Sequence, residues 1–296
     1  MAGKANNLPV EREGSDRLAK WMVLILGLAN LFVWLAVLDN SRDRYLEVSF
    51  FDVGQGDAAF AQLPNRVQVL FDGGPDASVL EKLGEAMPFY DRDIDWVVLS
   101  HTDRDHLAGL IDVLRNYRVR NIIWSGIADG DAEDAEWKQL LAGEGATVVV
   151  ASAGEKFALS QDPDCFLEIL SPRSGGTSDQ DQNELSVAVK LTYGARSFLF
   201  TGDAEDDANT AIMAQGADVL KVAHHGSKYS TNESFLAGLL PAAAVISVGG
   251  GNPYGHPSSQ VLDLLGKYDI KTVRTDQSGN VLFRTNGESL FLKTEK

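Results

Sequence analysis

The chain has 296 residues, 44% of them apolar and 8% aromatic, enough for one large domain or two small ones with a full hydrophobic core. Its formal charge is −16; the first 44 residues carry six basic and five acidic side chains, so the remainder is about −17. That balance argues against a broad basic face for nucleic acid and leaves only local contacts, from groups such as Lys221, Lys228 and Arg274. A single cysteine, Cys165, excludes a disulfide framework and a cysteine-based metal cluster.

Residues 1–20 form a polar tail with too little apolar surface to order itself. Trp21 to Leu38 is an uncharged apolar run with one strongly polar residue, Asn30, just long enough to span a bilayer. Trp21 and Trp34 suit interfacial anchoring. Lys4, Arg12, Arg17 and Lys20 precede the run and Arg42 and Arg44 follow it. That bias favours a cytoplasmic N-terminus and a large domain outside the cytoplasmic membrane. A cleaved signal peptide and a buried core helix are the competing readings. The run is long for a signal core and lacks a small-residue cleavage site before Asp39.

After a linker at 39–45, residues 46–296 read as one domain. Strands are expected at 46–51, 58–63 and 68–71, separated by the turn signals G-Q-G-D and P-N-R. A helix at 78–87 leads to a short apolar strand at 96–100. A helix at 107–117, a strand at 121–124, a helix at 131–141 and a strand at 147–150 follow. The second half repeats the style, with strands at 166–170, 186–191 and 197–200, a helix at 205–213 and a strand at 219–223. It closes with a helix at 233–239, a strand at 243–248, a helix at 259–267 and strands at 272–274, 281–284 and 289–292. Residues 173–183 read as a polar loop, and Asp276 as a hairpin turn. The expected class is α+β: two sheets face to face with helices outside.

All five histidines fall in three short motifs: His101 and His106 in S-H-T-D-R-D-H, His224 and His225 in A-H-H-G-S, and His256 in N-P-Y-G-H-P. In H-T-D-R-D-H four potential metal ligands, His101, Asp103, Asp105 and His106, occur within six residues just after a strand. Any one of them has an ordinary reading, since aspartates suit a helix N-terminus. As a set, joined by G-D at 202–203 and H-H-G at 224–226, they point to a metal site, because imidazole and carboxylate are the common ligands of catalytic divalent ions.

These motifs resemble the metallo-β-lactamase superfamily. F-F-D-V-G-Q-G-D-A at 50–58, T-G-D-A-E at 201–205, A-H-H-G-S-K at 223–228 and N-P-Y-G-H-P at 252–257 are, more narrowly, similar to the hydrolase-like domain of ComEC-type DNA-uptake channels. The resemblance covers about residues 46–293. It implies an αββα metallo-β-lactamase-like sandwich with one or two divalent ions, zinc or manganese. By the same resemblance His101 and Asp103 serve a first ion, Asp105, His106 and His224 a second, and Asp203 bridges them. Of the histidine pair, His224 is expected inward because it caps its strand, with His225 facing substrate.

Two departures bear on the metal. Asp103 stands where the superfamily usually has histidine. The histidine before the G-D strand is replaced by D-Q-N-E-L-S, where Asp181 or Asn183 could substitute through oxygen. An oxygen-rich first position favours the harder manganese ion. A bound ion brings the pKa of its water towards about 7 and polarises a phosphoryl oxygen. Asp105, His225 and His256 are then candidates for catalysis, Ser227 and Lys228 for gripping an anionic substrate, and Asp57 for orienting a ligand. The competing reading confines His256 to its G-H-P turn and Asp57 to its own.

The implied activity is hydrolysis of a phosphodiester, with single-stranded DNA as one substrate and a separate uptake channel as one partner. A hydrolase of another envelope phosphoester, ester or amide is the alternative on the same scaffold. A metal-containing binding module without catalysis is the alternative from another class.

Overall fold

The computed structural model describes residues 13–40, 45–128, 130–161, 164–173, 182–205, 212 and 216–296. The chain divides into two compact units, Met1–Arg44 and Tyr45–Lys296. In the first, helix α1 (Glu13–Asn40) begins well before the expected apolar run, so part of the anticipated polar tail is helical. Residues 1–12 and 41–44 lie outside the described residues. Within α1 the stretch Arg17–Leu35 has a mean hydropathy of 1.9 and none of it is buried. Nineteen residues at about 1.5 Å each reach about 28 Å, close to the hydrocarbon thickness of a bilayer. The helix is therefore long and apolar enough to cross a membrane.

The second unit is a sandwich of two mixed sheets. One runs β15-β14-β1-β2-β3-β4-β5-β6, from β1 (Leu46–Phe50), β2 (Ala59–Gln62), β3 (Gln68–Phe71), β4 (Asp93–Val98), β5 (Arg118–Trp124), β6 (Thr147–Val150), β14 (Val281–Thr285) and β15 (Leu290–Thr294). The other runs β13-β12-β11-β10-β9-β8-β7, from β7 (Lys156–Gln161), β8 (Asp164–Ser171), β9 (Ala188–Tyr193), β10 (Arg196–Phe200), β11 (Val219–Lys221), β12 (Ala243–Ile246) and β13 (Lys271–Arg274). Alternation in β1 turns Leu46, Val48 and Phe50 inward, the period of a half-buried strand. Where pairing becomes parallel, strands such as β11 and β12 are buried throughout, as sheets covered on both faces require.

The core between the sheets includes Phe50, Phe71, Phe200 and Phe283. The rings of Phe71 and Phe200 stack with centroids 3.8 Å apart, pinning one sheet to the other. Helices α2 (Ser78–Ala86), α3 (Arg104–Asn116) and α4 (Ala132–Glu144) cover the outer face of the first sheet. Helices α5 (Glu233–Leu239) and α6 (Ser259–Lys267) cover that of the second. The architecture is the expected αββα sandwich.

Two differences from the sequence reading have physical causes. Strand β7 was not expected, because only Leu159 of K-F-A-L-S-Q is buried and an edge strand leaves little periodicity. Asp276 sits in a one-turn helix, α7 (Thr275–Ser278), where its carboxylate clamps the Arg274 guanidinium at 3.0 and 2.6 Å. Arg274 is thereby engaged and not held ready for a nucleic-acid backbone. The expected helix at 205–213 and the loop at 173–183 lie largely outside the described residues.

The site is placed by parallel strands. β3, β4 and β5 run parallel, as do β10, β11 and β12. His101, Asp203 and His224 each lie three residues beyond β4, β10 and β11. The G-Q-G-D loop docks on the start of α3, where Asp57 N–H donates to Asp105 O at 3.1 Å. A Cβ on Gly56 would stand 2.4 Å from that same carbonyl oxygen, so this approach requires glycine.

Candidate metal centre

Three imidazoles and three carboxylates meet at one edge of the sandwich. His106 Nε2 lies 3.3 Å from Asp203 Oδ1, and His225 Nε2 lies 3.1 Å from Asp105 Oδ2 and 3.7 Å from Asp203 Oδ2. His101 Nε2 lies 3.5 Å from Asp103 Oδ2. Ligand atoms about 2.0–2.2 Å from a shared ion stand roughly 3–3.5 Å from each other, so these separations suit a common cation. His101, His106 and Asp203 form one set able to hold an ion, and Asp105, His106 and His225 another.

The donor atoms are also left open for it. Among the described residues, the buried Nε2 atoms of His101 and His106 and Oδ1 of Asp203 make no hydrogen bond. Buried polar atoms normally find partners, so a convergent group without them fits a metal ion. The tautomers agree. His106 Nδ1 donates to Asp72 Oδ2 at 2.9 Å and His225 Nδ1 donates to the Ser247 carbonyl at 2.9 Å. His101 Nδ1 lies 3.0 Å from Ser100 Oγ, which itself donates to Asp72 Oδ2 at 2.8 Å. Every Nδ1 is tied back to the frame and every Nε2 faces inward, the orientation that ligand histidines adopt.

Charge points the same way. Asp57, Asp72 and Asp203 are buried, Asp105 is partly so, and the cation held among them is Lys221, itself 3% exposed. The Lys221 ammonium pairs with Asp57 and lies 3.9 Å from Asp203 Oδ1. Burial resists ionisation of Asp203, yet His106, His225 and His101 hold its carboxyl well below the usual range. Burial likewise opposes a charged His225, but Asp203 and Asp57 outweigh it and push the imidazole up to about 9. In the metal-free protein protons thus supply positive charge that a divalent ion would otherwise bring.

Stability of the metal-free form depends on pH through His225. The folded pKa of His225 lies above its ordinary 6.5, so its charge contributes stability fully below about pH 6.5, and that contribution is lost as pH rises through about 9. Denaturant titrations in chelator should show falling stability over that window, by about 3 kcal/mol at most from this group. A His225→Gln variant should flatten the fall.

The histidine pair is the main correction. His225, 2% exposed, occupies the inward position expected of His224, whereas the His224 side chain is 27% exposed. Extrapolating the strand fails because the chain reverses here: His224 and His225 have φ of 48° and 51°, followed by Gly226 at 83°. Two successive non-glycine residues in the left-handed region cost of order 1–3 kcal/mol each, strain typical of functional turns. His224 nonetheless stays at the rim, its Nε2 3.7 Å from Asp203 Oδ2 and its Nδ1 3.5 Å from Glu205.

Other expected residues divide. His256 lies at the mouth, its ring centroid 5.7 Å from that of His224. Burial, then His224 and His225, lower its pKa. Ser227 is 2% exposed and its hydroxyl accepts from Tyr229 N–H, so it braces the turn and does not reach outward. Lys228 is exposed, with Nζ 4.8 Å over the Tyr229 ring. Asp57 binds Lys221 and lies 3.3 Å from His225 Nδ1, an orienting position. Asn183 lies in the turn before Ser186, whose N–H it accepts. Asp181 lies outside the described residues. Lys221, anticipated as a nucleic-acid contact, is buried beneath the site.

Asp72, not among the expected site residues, supports the centre. It has φ of 54°, and its carboxylate holds Ser100 N–H at 2.7 Å as well as His106. The signal for it was an aspartate before Gly73-Gly74 at a strand end.

ComE operon protein 3 of Bacillus subtilis (strain 168) is 32% identical over 259 residues, covering 80% of this chain and 33% of that protein. Competence protein ComA of Neisseria gonorrhoeae is 29% identical over 275 residues, covering 90% of this chain and 36% of that protein. The chain thus spans about a third of the length of these relatives. Among solved structures, the metallo-beta-lactamase fold protein YhfI from Bacillus subtilis superposes with a TM-score of 0.58 at 13% identity, over 82% of this chain and all of that one, which shows the shared fold. The profile of the metallo-beta-lactamase superfamily matches residues 52–250, two-thirds of the sequence and every element that brings a side chain to the centre except the turn of His256. The chain belongs to the metallo-beta-lactamase superfamily.

Proposed function

We propose that the second unit is a divalent-metal phosphodiesterase of nuclease type, held at a membrane by α1. The observation that carries the reading is the convergence of unbonded Nε2 atoms of His101 and His106 on Asp203 Oδ1, beside the Asp105–His225 pair. We assign His101, Asp103 and Asp203 to a first ion and Asp105, His106, His225 and Asp203 to a second, with Asn183 or Asp181 as further oxygen donors to the first. The oxygen-rich first set suits manganese, and the mixed second set suits zinc or manganese. Bound there, such ions would acidify water and neutralise charge on a phosphoryl group.

The chain's own groups do the rest. Asp72 and Ser247 fix the ring orientations of His106 and His225. His224 and His256 stand at the mouth, where an imidazole can contact a phosphoryl oxygen or pass a proton to the leaving oxygen. The four basic residues before the span favour a cytoplasmic N-terminus, with the hydrolase unit on the outer face. The names of the competence relatives support a role in handling DNA, alongside a separate uptake channel. The acidic unit supports a second reading, an envelope phosphoester gripped only locally.

A substrate panel separates these. A bis-nitrophenyl phosphodiester and single-stranded DNA should be cut by the manganese- or zinc-loaded full chain, with activity abolished by chelator and restored by the ion. Cleavage of a β-lactam alone would overturn the phosphodiesterase reading.

A further inference from the structure

The rim carries a feature that metal chemistry does not use. Tyr254 is 68% exposed, yet its ring lies parallel to that of His256, with centroids 5.9 Å apart and an angle of 15°. The His256 ring meets His224 edge to face at 5.7 Å, and His224 Nε2 is 3.7 Å from Asp203. A row of three rings therefore leads from solvent to the centre. The loop bearing it is held from within. Asn252 Nδ2 donates to Gly249 O at 3.0 Å and to His256 O at 2.7 Å, while its Oδ1 accepts from His256 N–H at 3.1 Å. Gly249 N–H donates in turn to Gln55 Oε1 at 3.2 Å, tying the loop to the G-Q-G-D segment. A large aromatic side chain is thus presented to water on a braced loop, one ring away from the rim histidine.

We propose that Tyr254, backed by His256, is a stacking subsite for a nucleobase adjoining the scissile phosphodiester. The inference rests on the phosphodiesterase reading and deepens it by naming the substrate's flanking group. It also answers the charge problem. A unit at about −17 cannot grip a polyanion by a basic field, whereas stacking on a ring needs no net positive charge. The Tyr254 ring lies offset and nearly parallel beside His256, and its exposed surface is open to accept the base. The hydroxyl is not required, so phenylalanine should serve and alanine should not.

The test compares two diesters with one leaving group, thymidine 5′-(p-nitrophenyl phosphate) and methyl p-nitrophenyl phosphate, on the metal-loaded full chain in detergent. Wild type should show a KM about tenfold lower for the base-bearing diester. Tyr254→Ala should raise that KM by about tenfold, leave kcat within about twofold, and leave the base-free diester unchanged. Tyr254→Phe should match wild type. The base-bearing KM should also vary little between about 50 and 500 mM salt, unlike an electrostatic grip. Equal KM values for the two diesters in wild type, or an equal effect of Tyr254→Ala on both, would overturn the subsite while leaving the phosphodiesterase reading intact. If neither diester is cut, the phosphodiesterase reading fails. Quenching of a 2-aminopurine dinucleotide then still decides the subsite, which stands only if quenching occurs and Tyr254→Ala abolishes it.

Discussion

Replacing Asp203 by asparagine is expected to lower kcat/KM for a phosphodiester by about a thousandfold or more while leaving the fold intact. The size follows from position. Asp203 is 3% exposed, with one carboxylate oxygen 3.3 Å from His106 and the other 3.7 Å from both His224 and His225. Among the described residues, Asp203 is a carboxylate that lies near the Nε2 atoms of both His106 and His225. Asparagine keeps the shape and the backbone bond from Asp203 N–H to Ser186 Oγ, but removes the charge that would join the sets. Far-UV circular dichroism should be unchanged, and a comparable rate in the variant would show that the chemistry lies elsewhere.

The second large effect concerns stability. Lys221→Met should destabilise the protein by about 3–5 kcal/mol, since it leaves buried Asp57 without its cation. Lys221 Nζ also donates to the Gly202 carbonyl at 3.3 Å, one residue before Asp203, so the lysine braces the G-D turn too. Removing both charges, in Lys221→Met with Asp57→Asn, should recover most of the loss, because the desolvated carboxylate is then gone. Denaturant unfolding of the four proteins of this cycle measures the coupling. Additive losses would mean that the pair is not energetically joined.

Much of this candidate site was legible in the sequence because the residues it gathers follow short apolar strands. The apolar run Trp96 to Ser100 reads as a strand and overlaps β4 (Asp93–Val98), and the H-T-D-R-D-H turn beyond it sets where His101 and His106 emerge. The αββα layering was legible for the same reason, with strand and helix periods alternating in both halves. Four features were not legible, each for a physical reason. The inward turn of His225 depends on left-handed φ values at two histidines, which no propensity anticipates. Asp72 touches His106 from 34 residues away through a strand-end conformation that reads as a turn. Lys221 has the composition of a surface residue and is buried only because Asp57 and Asp203, from two different sheets, enclose its ammonium. Edge strand β7 was missed because burial on one residue writes almost no pattern.

The proposed metal centre uses His225 and not His224. The most direct measurement is the number of divalent ions per chain in wild type, His225→Ala and His224→Ala after loading with manganese or zinc and removal of excess. Wild type should hold at least one ion, His225→Ala should lose ion content, and His224→Ala should keep the wild-type complement. No ion in wild type, or loss in His224→Ala with retention in His225→Ala, would contradict it.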